Sequence, residues 1–175
     1  MKNIYLFVGA SGTGKTTISQ HLSEKYGYKL VSSYTDRQPR RPHEEGHRFV
    51  TTEEFQQLKD LVSYTYYNGH HYGVPAEMID ESDIFVVDIP GVISLKEKYH
   101  GSKGIKVIGL TADVDELYKR MRKRGDSREA IIERLAYDTK AFKDLSKYAD
   151  ILIHSDGVEA TANAVNEFIS YCENN

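Results

Sequence analysis

An octapeptide close to the amino terminus constrains this chain more than any other feature. Residues 9–16 read Gly-Ala-Ser-Gly-Thr-Gly-Lys-Thr, which is the G-x-x-x-x-G-K-S/T spacing of a phosphate-binding P-loop. The apolar run 4–8 precedes this loop, and Ile18 and Leu22 follow it at helical spacing. This order suits the motif, because its glycines let backbone N–H groups converge on an anion at the start of a helix. We therefore predict a nucleoside triphosphate site.

The P-loop residues have distinct predicted roles. Lys15 would reach the β- and γ-phosphates, and the Thr16 hydroxyl would bind Mg²⁺. ATP is the expected donor, and the residues predicted to bind it are Gly9, Ala10, Ser11, Gly12, Thr13, Gly14, Lys15, Thr16 and Thr17. The alternative is a glycine-rich turn that only caps a helix, and the strand-like run before the loop argues against it.

The composition is that of a single globular domain. The chain has 175 residues, 28% of them charged, and a formal net charge of −3, which does not indicate a surface for nucleic acid. Its one cysteine, Cys172, cannot form an internal disulfide, which fits a reducing compartment. The first apolar run is too short for a signal peptide, and no run reaches membrane-spanning length. We expect a cytoplasmic monomer or homodimer with small-molecule substrates and neither nucleic-acid nor membrane partners.

Strand-like and helical patterns alternate along most of the chain. Near-continuous apolar runs lie at 4–8, 28–31, 84–88, 105–110 and 151–153. Helical patterns lie at 15–26, 91–99, 114–124, 128–145 and 158–171. This alternation predicts an α/β P-loop fold with five parallel strands that are covered by helices on both faces. Ligands bind at the carboxyl ends of such strands, where Gly9, Ser33 and Asp88 lie.

Two stretches break the alternation. Residues 34–80 are too long for a simple connection and must have structure of their own. Within them, 53–59 has a helical pattern, and an Asn-Gly pair at 68–69 between β-prone runs predicts a hairpin. The second stretch, 120–128, is the cationic end of a helix, which Gly125 breaks before a new helix begins.

A basic segment in the first stretch has the spacing of a phosphate clamp. Residues 37–42 read Arg-Gln-Pro-Arg-Arg-Pro, and residues before proline favour extended geometry. With three residues per turn in that geometry, Arg37 and Arg40 lie on the same face, so their guanidinium groups can hold one phosphate. The alternative is a solvated basic loop. The clamp is favoured because the segment follows a strand whose carboxyl end faces the triphosphate site.

The order of these motifs resembles that of the guanylate kinase family. The matching segments are Ser33-Tyr-Thr-Asp-Arg-Gln-Pro-Arg40, Gly46-His-Arg-Phe-Val50, Glu53-Glu-Phe55, Asn68-Gly-His-His-Tyr-Gly73, Val87-Asp88, residues 117–125 and Glu133-Arg-Leu135. The resemblance implies a P-loop core (1–33 and 81–175), a monophosphate-binding insert (34–80) and a mobile lid (122–135). It also implies transfer of the γ-phosphoryl group of ATP to GMP or dGMP.

The resemblance assigns roles to residues that would bind the acceptor. Arg37, Arg40 and Tyr72 would hold its phosphate, and Ser33 would lie near its base. Asp88 ends a strand beside the P-loop strand, where a carboxylate either binds Mg²⁺ through water or caps the following helix. The sequence leaves both roles of Asp88 open.

The resemblance also implies a catalytic set of cations. Arg120, Arg124 and Arg134 would approach the transferring phosphoryl group from the lid side and act together with Lys15. Phosphoryl transfer needs such cations, because negative charge is spread over the equatorial oxygens in the transition state. The alternative for the lid arginines is charge complementation of a helix C-terminus.

Four positions depart from the family pattern where the acceptor would bind. Ser63 stands where the family has a glutamate that accepts hydrogen bonds from guanine, and Val74 replaces a small hydroxyl residue. Phe49 replaces a phosphate-binding tyrosine, and Pro90 replaces a second acid. A buried carboxylate that reads a base edge can discriminate strongly between bases, and its loss can erase that preference.

Three interpretations of function remain after these departures. The first is a guanylate kinase in which Glu53, Asp60 or Glu77 supplies the missing acid. The second is a P-loop kinase of another nucleotide, deoxynucleotide or small phosphate with an altered base pocket. The third is a non-catalytic guanylate kinase-like binding module, which would be expected to have lost Lys15 or the lid arginines.

Overall fold

Strands and helices alternate from one end of the chain to the other. The computed structural model describes residues 1–39, 42, 44, 46–67 and 69–175. In chain order the elements are β1 (Asn3–Val8), α1 (Lys15–Tyr26), β2 (Ser33–Thr35), β3 (His47–Phe49), α2 (Thr52–Gln56), β4 (Leu61–Tyr67), β5 (His70–Pro75), α3 (Ala76–Glu81), β6 (Ile84–Val86), α4 (Ile89–Lys98), β7 (Gly104–Thr111), α5 (Val114–Arg124), α6 (Arg128–Ala141), α7 (Leu145–Tyr148), β8 (Ile151–His154) and α8 (Val158–Asn174). None of the described helices is both long and apolar enough to cross a membrane.

The central sheet has four parallel strands in the order β6-β1-β7-β8. β1 lies between β6 and β7, and all of its residues are buried. Ile4 and Leu6 pack in one apolar cluster with residues of α3 and α4, whereas Phe7 packs in a second cluster with residues of α1 and α8. Burial on both faces explains why this strand is apolar from Ile4 to Val8. The central position of β1 places the loop that follows it in the middle of the sheet edge.

The prediction of five strands in this sheet is wrong. Residues 28–31 contribute one isolated bridge, in which Leu30 pairs with Ile84 of β6. The Val31 amide donates to the carbonyl oxygen of Ile84 at 2.8 Å, but the chain then turns away into β2. A strand needs a ladder of several paired residues, and this segment leaves the sheet after one pair.

The inserted stretch forms a second sheet with the strand order β3-β2-β5-β4. β4 and β5 pair antiparallel, which confirms the predicted hairpin, although Asn68 of its turn lies outside the described residues. Asp36, directly after β2, joins this sheet to α2. Its carboxylate accepts from the His71 amide at 2.8 Å and from the Thr52 hydroxyl at 3.1 Å. Contacts between residues distant in sequence therefore determine the shape of the insert.

Helices α5 and α6 form a unit beside the P-loop. Gly125 takes a left-handed conformation (φ 99°) and ends α5, as its position in the sequence predicts. The Ser127 hydroxyl then caps α6 by accepting from the Ala130 amide at 3.2 Å. Ala10 of the P-loop packs against the apolar residues that join the two helices, which are Leu117, Met121 and Ile131. The pair of helices is thus anchored to the loop it borders.

Candidate active site

The P-loop joins β1 to α1 with the geometry that the motif predicts. Gly9 lies so close to β7 that a Cβ atom there would be 2.2 Å from the carbonyl oxygen of Leu110. Gly14 takes a left-handed conformation (φ 90°) directly before α1, which favours glycine. The Thr13 side chain is buried within the loop and donates to the Ala10 carbonyl at 2.8 Å. Close packing and local hydrogen bonds therefore fix the path of this loop.

Lys15 lies folded onto the P-loop itself. Its ammonium group donates to the carbonyl oxygens of Gly9 at 2.6 Å and Ala10 at 2.9 Å. Burial lowers the pKa of Lys15 to about 8; the Asp138 carboxylate opposes this shift and the Arg124 guanidinium adds to it. A bound phosphate would supply the negative charge that this buried ammonium group lacks.

Two cavities meet at the P-loop. The insert cavity, about 1030 Å³, lies between the P-loop, the second sheet, the start of α4 and the end of α6. The helix cavity, about 1080 Å³, lies between the P-loop, α5 and the loop from β8 to α8. Ser11 and Lys15 are the two residues, among those that the structure describes, that line both cavities. The two cavities therefore have their junction at the phosphate-binding loop.

Arg120 ties the wall of the helix cavity to the P-loop. Its guanidinium group donates to the Ser155 hydroxyl at 3.0 Å, to the Ser155 carbonyl at 2.8 Å and to the Gly12 carbonyl at 3.4 Å. Its Nε also donates to the Glu116 carboxylate at 2.9 Å, one helical turn earlier. These contacts place Arg120 next to the P-loop, and they hold the β8–α8 loop at the cavity edge.

The structure separates the other two predicted lid arginines. Arg124 lines the helix cavity together with Thr16 and Thr17, and its guanidinium group forms an ion pair with Asp126. Hydrogen bonding to Asp126 raises the pKa of Arg124, so this side chain stays charged. Arg134 is exposed on α6 and is not among the described residues that line either cavity.

Arg37 is the buried cation of the insert. Its Nε donates to the Tyr72 hydroxyl at 3.1 Å, and its two terminal nitrogens donate to the Glu44 carboxylate at 2.6 and 3.0 Å. Hydrogen bonding to Glu44 raises the pKa of Arg37. Phe49 contributes its ring face, 5.2 Å from the guanidinium carbon. Arg40, the second predicted residue of the clamp, lies outside the described residues.

Most of the predicted acceptor residues that the structure describes meet at the insert cavity. The predicted residues that line it are Ser33, Ser63, Tyr72, Val74, Asp88 and Pro90. The Ser33 hydroxyl is 2.8 Å from Nδ1 of His47, and Val74 is buried. Arg37 and Phe49, which contact each other, are not among the described lining residues, and Arg37 reaches the wall through its hydrogen bond to Tyr72.

The candidates for a replacement acid do not reach the insert cavity. Glu53, Asp60 and Glu77 are absent from the described residues that line it. Ser63 and Val74 face each other across the β4–β5 pair, so this part of the wall presents one hydroxyl and one apolar side chain. The carboxylates that do line the cavity belong to Asp88 and Asp138.

The two residues that were predicted to bind Mg²⁺ carry oxygens that suit the ion. Thr16 is exposed in the helix cavity at the first turn of α1, and Asp88 lines the insert cavity. One carboxylate oxygen of Asp88 accepts from the Gly91 amide at 2.8 Å, which confirms its role as the cap of α4. Hydroxyl and carboxylate oxygens are hard ligands of the kind that Mg²⁺ prefers, so the two residues fit the ion chemically. Within the described chain no group of three or more His, Cys, Asp and Glu residues is arranged to hold a metal.

Asp138 is a site residue that the sequence analysis did not find. It is 7% exposed, lines the insert cavity and accepts from the Ser11 amide at 2.6 Å. A signal was present in the sequence, since Asp138 follows the buried Ile131 by seven positions and so falls on the same face of α6. An acid on the buried face of a helix needs a polar partner, and here the partner is a P-loop amide.

Comparison with known proteins shows which family this sequence resembles. The sequence model of the family described as guanylate kinase matches residues 1–172. A guanylate kinase of Fusobacterium nucleatum is 31% identical over 183 aligned positions, which cover 98% of this chain and 96% of that protein. A guanylate kinase of Caldanaerobacter subterraneus is 33% identical over 161 positions, which cover 85% of this chain and 77% of that protein.

A solved structure has the same fold. The crystal structure of guanylate kinase from Anaplasma phagocytophilum superimposes with a TM-score of 0.66, covering 97% of this chain and 85% of that one. The two sequences are 20% identical, so this similarity concerns the fold alone.

Proposed function

Because the chain belongs to the guanylate kinase family, we propose that it transfers the γ-phosphoryl group of ATP to GMP or dGMP. The observation that carries this proposal is the junction of two cavities at Ser11 and Lys15. Transfer between two nucleotides requires a donor and an acceptor that meet end to end at their phosphates. Two cavities that join at a P-loop provide this arrangement.

The helix cavity is the donor side in this proposal. It contains most of the P-loop, including Gly12, Gly14, Thr16 and Thr17, whose backbone and hydroxyl groups would bind the triphosphate. The loop after β8 forms its outer wall and would lie beside the adenine. Arg120 holds that loop through Ser155, so its contribution to donor binding is partly indirect.

The insert cavity is the acceptor side. Tyr72 lines it and shares a hydrogen bond with Arg37, so a phosphate at this hydroxyl would also lie next to the guanidinium group. Ser33, Ser63 and Val74 would surround the base. Arg40 would complete the clamp, as the family resemblance implies.

The chemistry requires positioning and neutralisation of charge rather than a general base. The acceptor phosphate is already an anion at neutral pH, so its oxygen can attack in line without prior proton removal. Lys15 and Arg124 would neutralise the transferring group at the junction. Arg134 would join them when the lid, residues 122–135, closes over the bound nucleotides, and its exposure on α6 in this structure is consistent with an open lid.

Mg²⁺ would be held by Thr16 directly and by Asp88 through water. When bound, the ion neutralises phosphate charge and orients the donor. In this proposal the core comprises residues 1–33 and 81–175, and the insert comprises residues 34–80. The core would carry the donor and the ion, while the insert would present the acceptor.

A second candidate is a kinase of another monophosphate. The observation that favours it is the wall of the insert cavity, where Ser63, Val74 and Pro90 present no carboxylate to a base. A hydroxyl and two apolar groups discriminate less strongly than a buried acid does. The non-catalytic module is not favoured, because Lys15, Arg120 and Arg124 all lie at the P-loop or in the helix cavity beside it.

Release of ADP from ATP and Mg²⁺, with each ribo- and deoxynucleoside monophosphate offered in turn, tests both candidates. The proposal predicts that GMP or dGMP gives the highest kcat/KM. Dominance of another monophosphate would support the second candidate. Absence of turnover with every acceptor would support the third interpretation, a non-catalytic binding module.

A further inference from the structure

Asp138 differs from the other acids of the site in the group that it contacts. Its side chain projects from α6, and one carboxylate oxygen accepts from the Ser11 amide at 2.6 Å. This distance is short for an N–H···O hydrogen bond, and the residue is 7% exposed. The two residues are 127 positions apart, so the contact joins α6 to the P-loop across the fold.

The contact lies where the two cavities meet. Ser11 is one of the two residues that line both cavities, and Asp138 lines the insert cavity beside it. The carboxylate also interacts electrostatically with Lys15, whose pKa it raises against the effect of burial. A P-loop amide and the P-loop lysine are the groups that bind phosphoryl oxygens in such sites. Asp138 therefore interacts with the Ser11 amide and with Lys15, two groups that a bound phosphate would also use.

A carboxylate and a phosphate cannot share this position without cost. Both are anionic acceptors, and like charges a few ångströms apart repel each other strongly away from bulk water. We propose that Asp138 is a positioning residue that holds the Ser11 amide in the nucleotide-free protein and leaves it when the donor triphosphate binds. This inference rests on the proposed function.

Release of Asp138 would link phosphate binding to movement of α6. The same helix carries Arg134 one turn earlier, where that side chain is exposed in this structure. Filling of the junction by phosphate breaks the Asp138–Ser11 contact and frees the end of α6 to shift. The contact thus keeps the lid helix in place until the donor arrives.

Calorimetric titration with ATP, without acceptor, tests the inference in the wild type and in Asp138→Asn. Asparagine keeps a carbonyl oxygen that can accept from the Ser11 amide, but it lacks the negative charge. We expect the Asp138→Asn variant to bind ATP at least about tenfold more tightly than the wild type does, because the negative charge that competes with the phosphate is gone. A purely structural role of Asp138 predicts the opposite sign, since loss of a buried contact would weaken binding.

Asp144→Asn is the matched control. Asp144 lies beyond the end of α6, pairs with Lys147 and is not among the described residues that line either cavity. The Asp144→Asn variant should therefore bind ATP with the affinity of the wild type. Asp138→Ala is the second variant, in case asparagine perturbs folding, and it too should bind ATP more tightly. Thermal unfolding of each variant shows which ones retain the native fold.

Unchanged or weaker ATP binding by a folded Asp138 variant would overturn the inference. The titration is repeated without Mg²⁺, because a loss of affinity seen only with Mg²⁺ would make Asp138 a metal ligand and contradict the proposal. If the wild type transfers phosphate but the folded variants bind ATP no more tightly, only this inference fails. If the wild type neither binds ATP nor transfers phosphate, the proposed function fails with it.

Discussion

The helix cavity and the insert cavity meet at the same two residues, but the chain builds them differently. The helix cavity is built around one contiguous loop, residues 9–17, with α5 and the β8–α8 loop packed beside it. The walls of the insert cavity come from the second sheet, the start of α4 and the end of α6. The local sequence of a contiguous motif determines the geometry of the loop that it forms. In a wall assembled from distant segments, by contrast, one residue can be replaced while the others stay the same. Three of the four departures from the family pattern, at Ser63, Val74 and Pro90, fall on the assembled wall.

The cations of the two sides are also held differently. Arg120, which lines the helix cavity, donates to two backbone carbonyls, a hydroxyl and the Glu116 carboxylate, and its side chain is partly exposed. Arg37, in the insert, is 6% exposed and is paired with the Glu44 carboxylate. A buried guanidinium group needs such a partner when no phosphate is bound. The comparison therefore predicts that changes on the two sides have separable effects on ATP and on the acceptor.

The largest effect is expected for Lys15→Ala, which removes the cation at the junction itself. We expect the rate of transfer to fall by about a thousandfold or more for every acceptor, because Lys15 serves both sides. The measurement is ADP formation with each active acceptor. Lys25→Ala, at the exposed end of the same helix, is the control and should retain wild-type activity. Activity that survives in Lys15→Ala with one acceptor alone would contradict the common junction.

Arg37→Ala should separate the two sides. Loss of the clamp guanidinium should raise KM for the acceptor by about a hundredfold, while KM for ATP changes by about twofold or less. Steady-state kinetics with each substrate varied in turn measure both constants. Arg48→Ala is the matched control, since Arg48 is an exposed arginine of the same sheet that donates to the Tyr34 hydroxyl. A variant in which only ATP binding weakens would show that the insert is the donor side.

Ser63→Glu restores the residue of the family pattern at the wall of the insert cavity and should increase selectivity for guanine. A carboxylate at this wall can accept from the N1 and N2 hydrogens of guanine, so the ratio of kcat/KM for GMP to that for AMP should rise about tenfold. Ser63→Gln is the control with nearly the same size and no charge, and it should give a smaller gain. An unchanged ratio for Ser63→Glu would mean that the base lies elsewhere in the cavity.

The smallest expected effect is a dependence of ATP affinity on pH. The pKa of Lys15 in the free protein is about 8, and the phosphates bind its protonated form. ATP affinity should therefore be full below pH 7 and fall as pH rises through 8, by up to about tenfold at pH 9. Titration of ATP binding across this range tests the shift. The inflection should disappear in Lys15→Arg, whose side chain remains charged, and its persistence there would assign it to another group.

The sequence predicted the P-loop and the helices beside it better than the insert and the strands, for a physical reason. The P-loop, the start of α1 and the end of α5 at Gly125 depend on neighbouring residues, and all three were predicted from local patterns. The fifth strand was predicted wrongly, because pairing of residues 28–31 depends on where the chain runs after them. An apolar run by itself does not contain that information.

Contacts that no sequence pattern specifies account for what the sequence analysis missed at the site. The pairing of Arg37 with Glu44 depends on the fold of a proline-containing segment, and the Asp138–Ser11 contact depends on how α6 docks on the loop. No spacing rule links residues 127 positions apart. The departures at Ser63, Val74 and Pro90 were visible, and the structure places all three in the wall of the insert cavity.

Binding of a bisubstrate analogue tests the central claim most directly. In such a compound, adenosine and guanosine are joined through a chain of five phosphates, so one molecule can fill both cavities across Ser11 and Lys15. We predict that it binds at least about a hundredfold more tightly than ATP, because the second half binds without a separate loss of freedom. Arg37→Ala should remove most of this gain. An analogue that binds no better than ATP, with an affinity that does not depend on Arg37, would contradict the account of two cavities that meet at the P-loop.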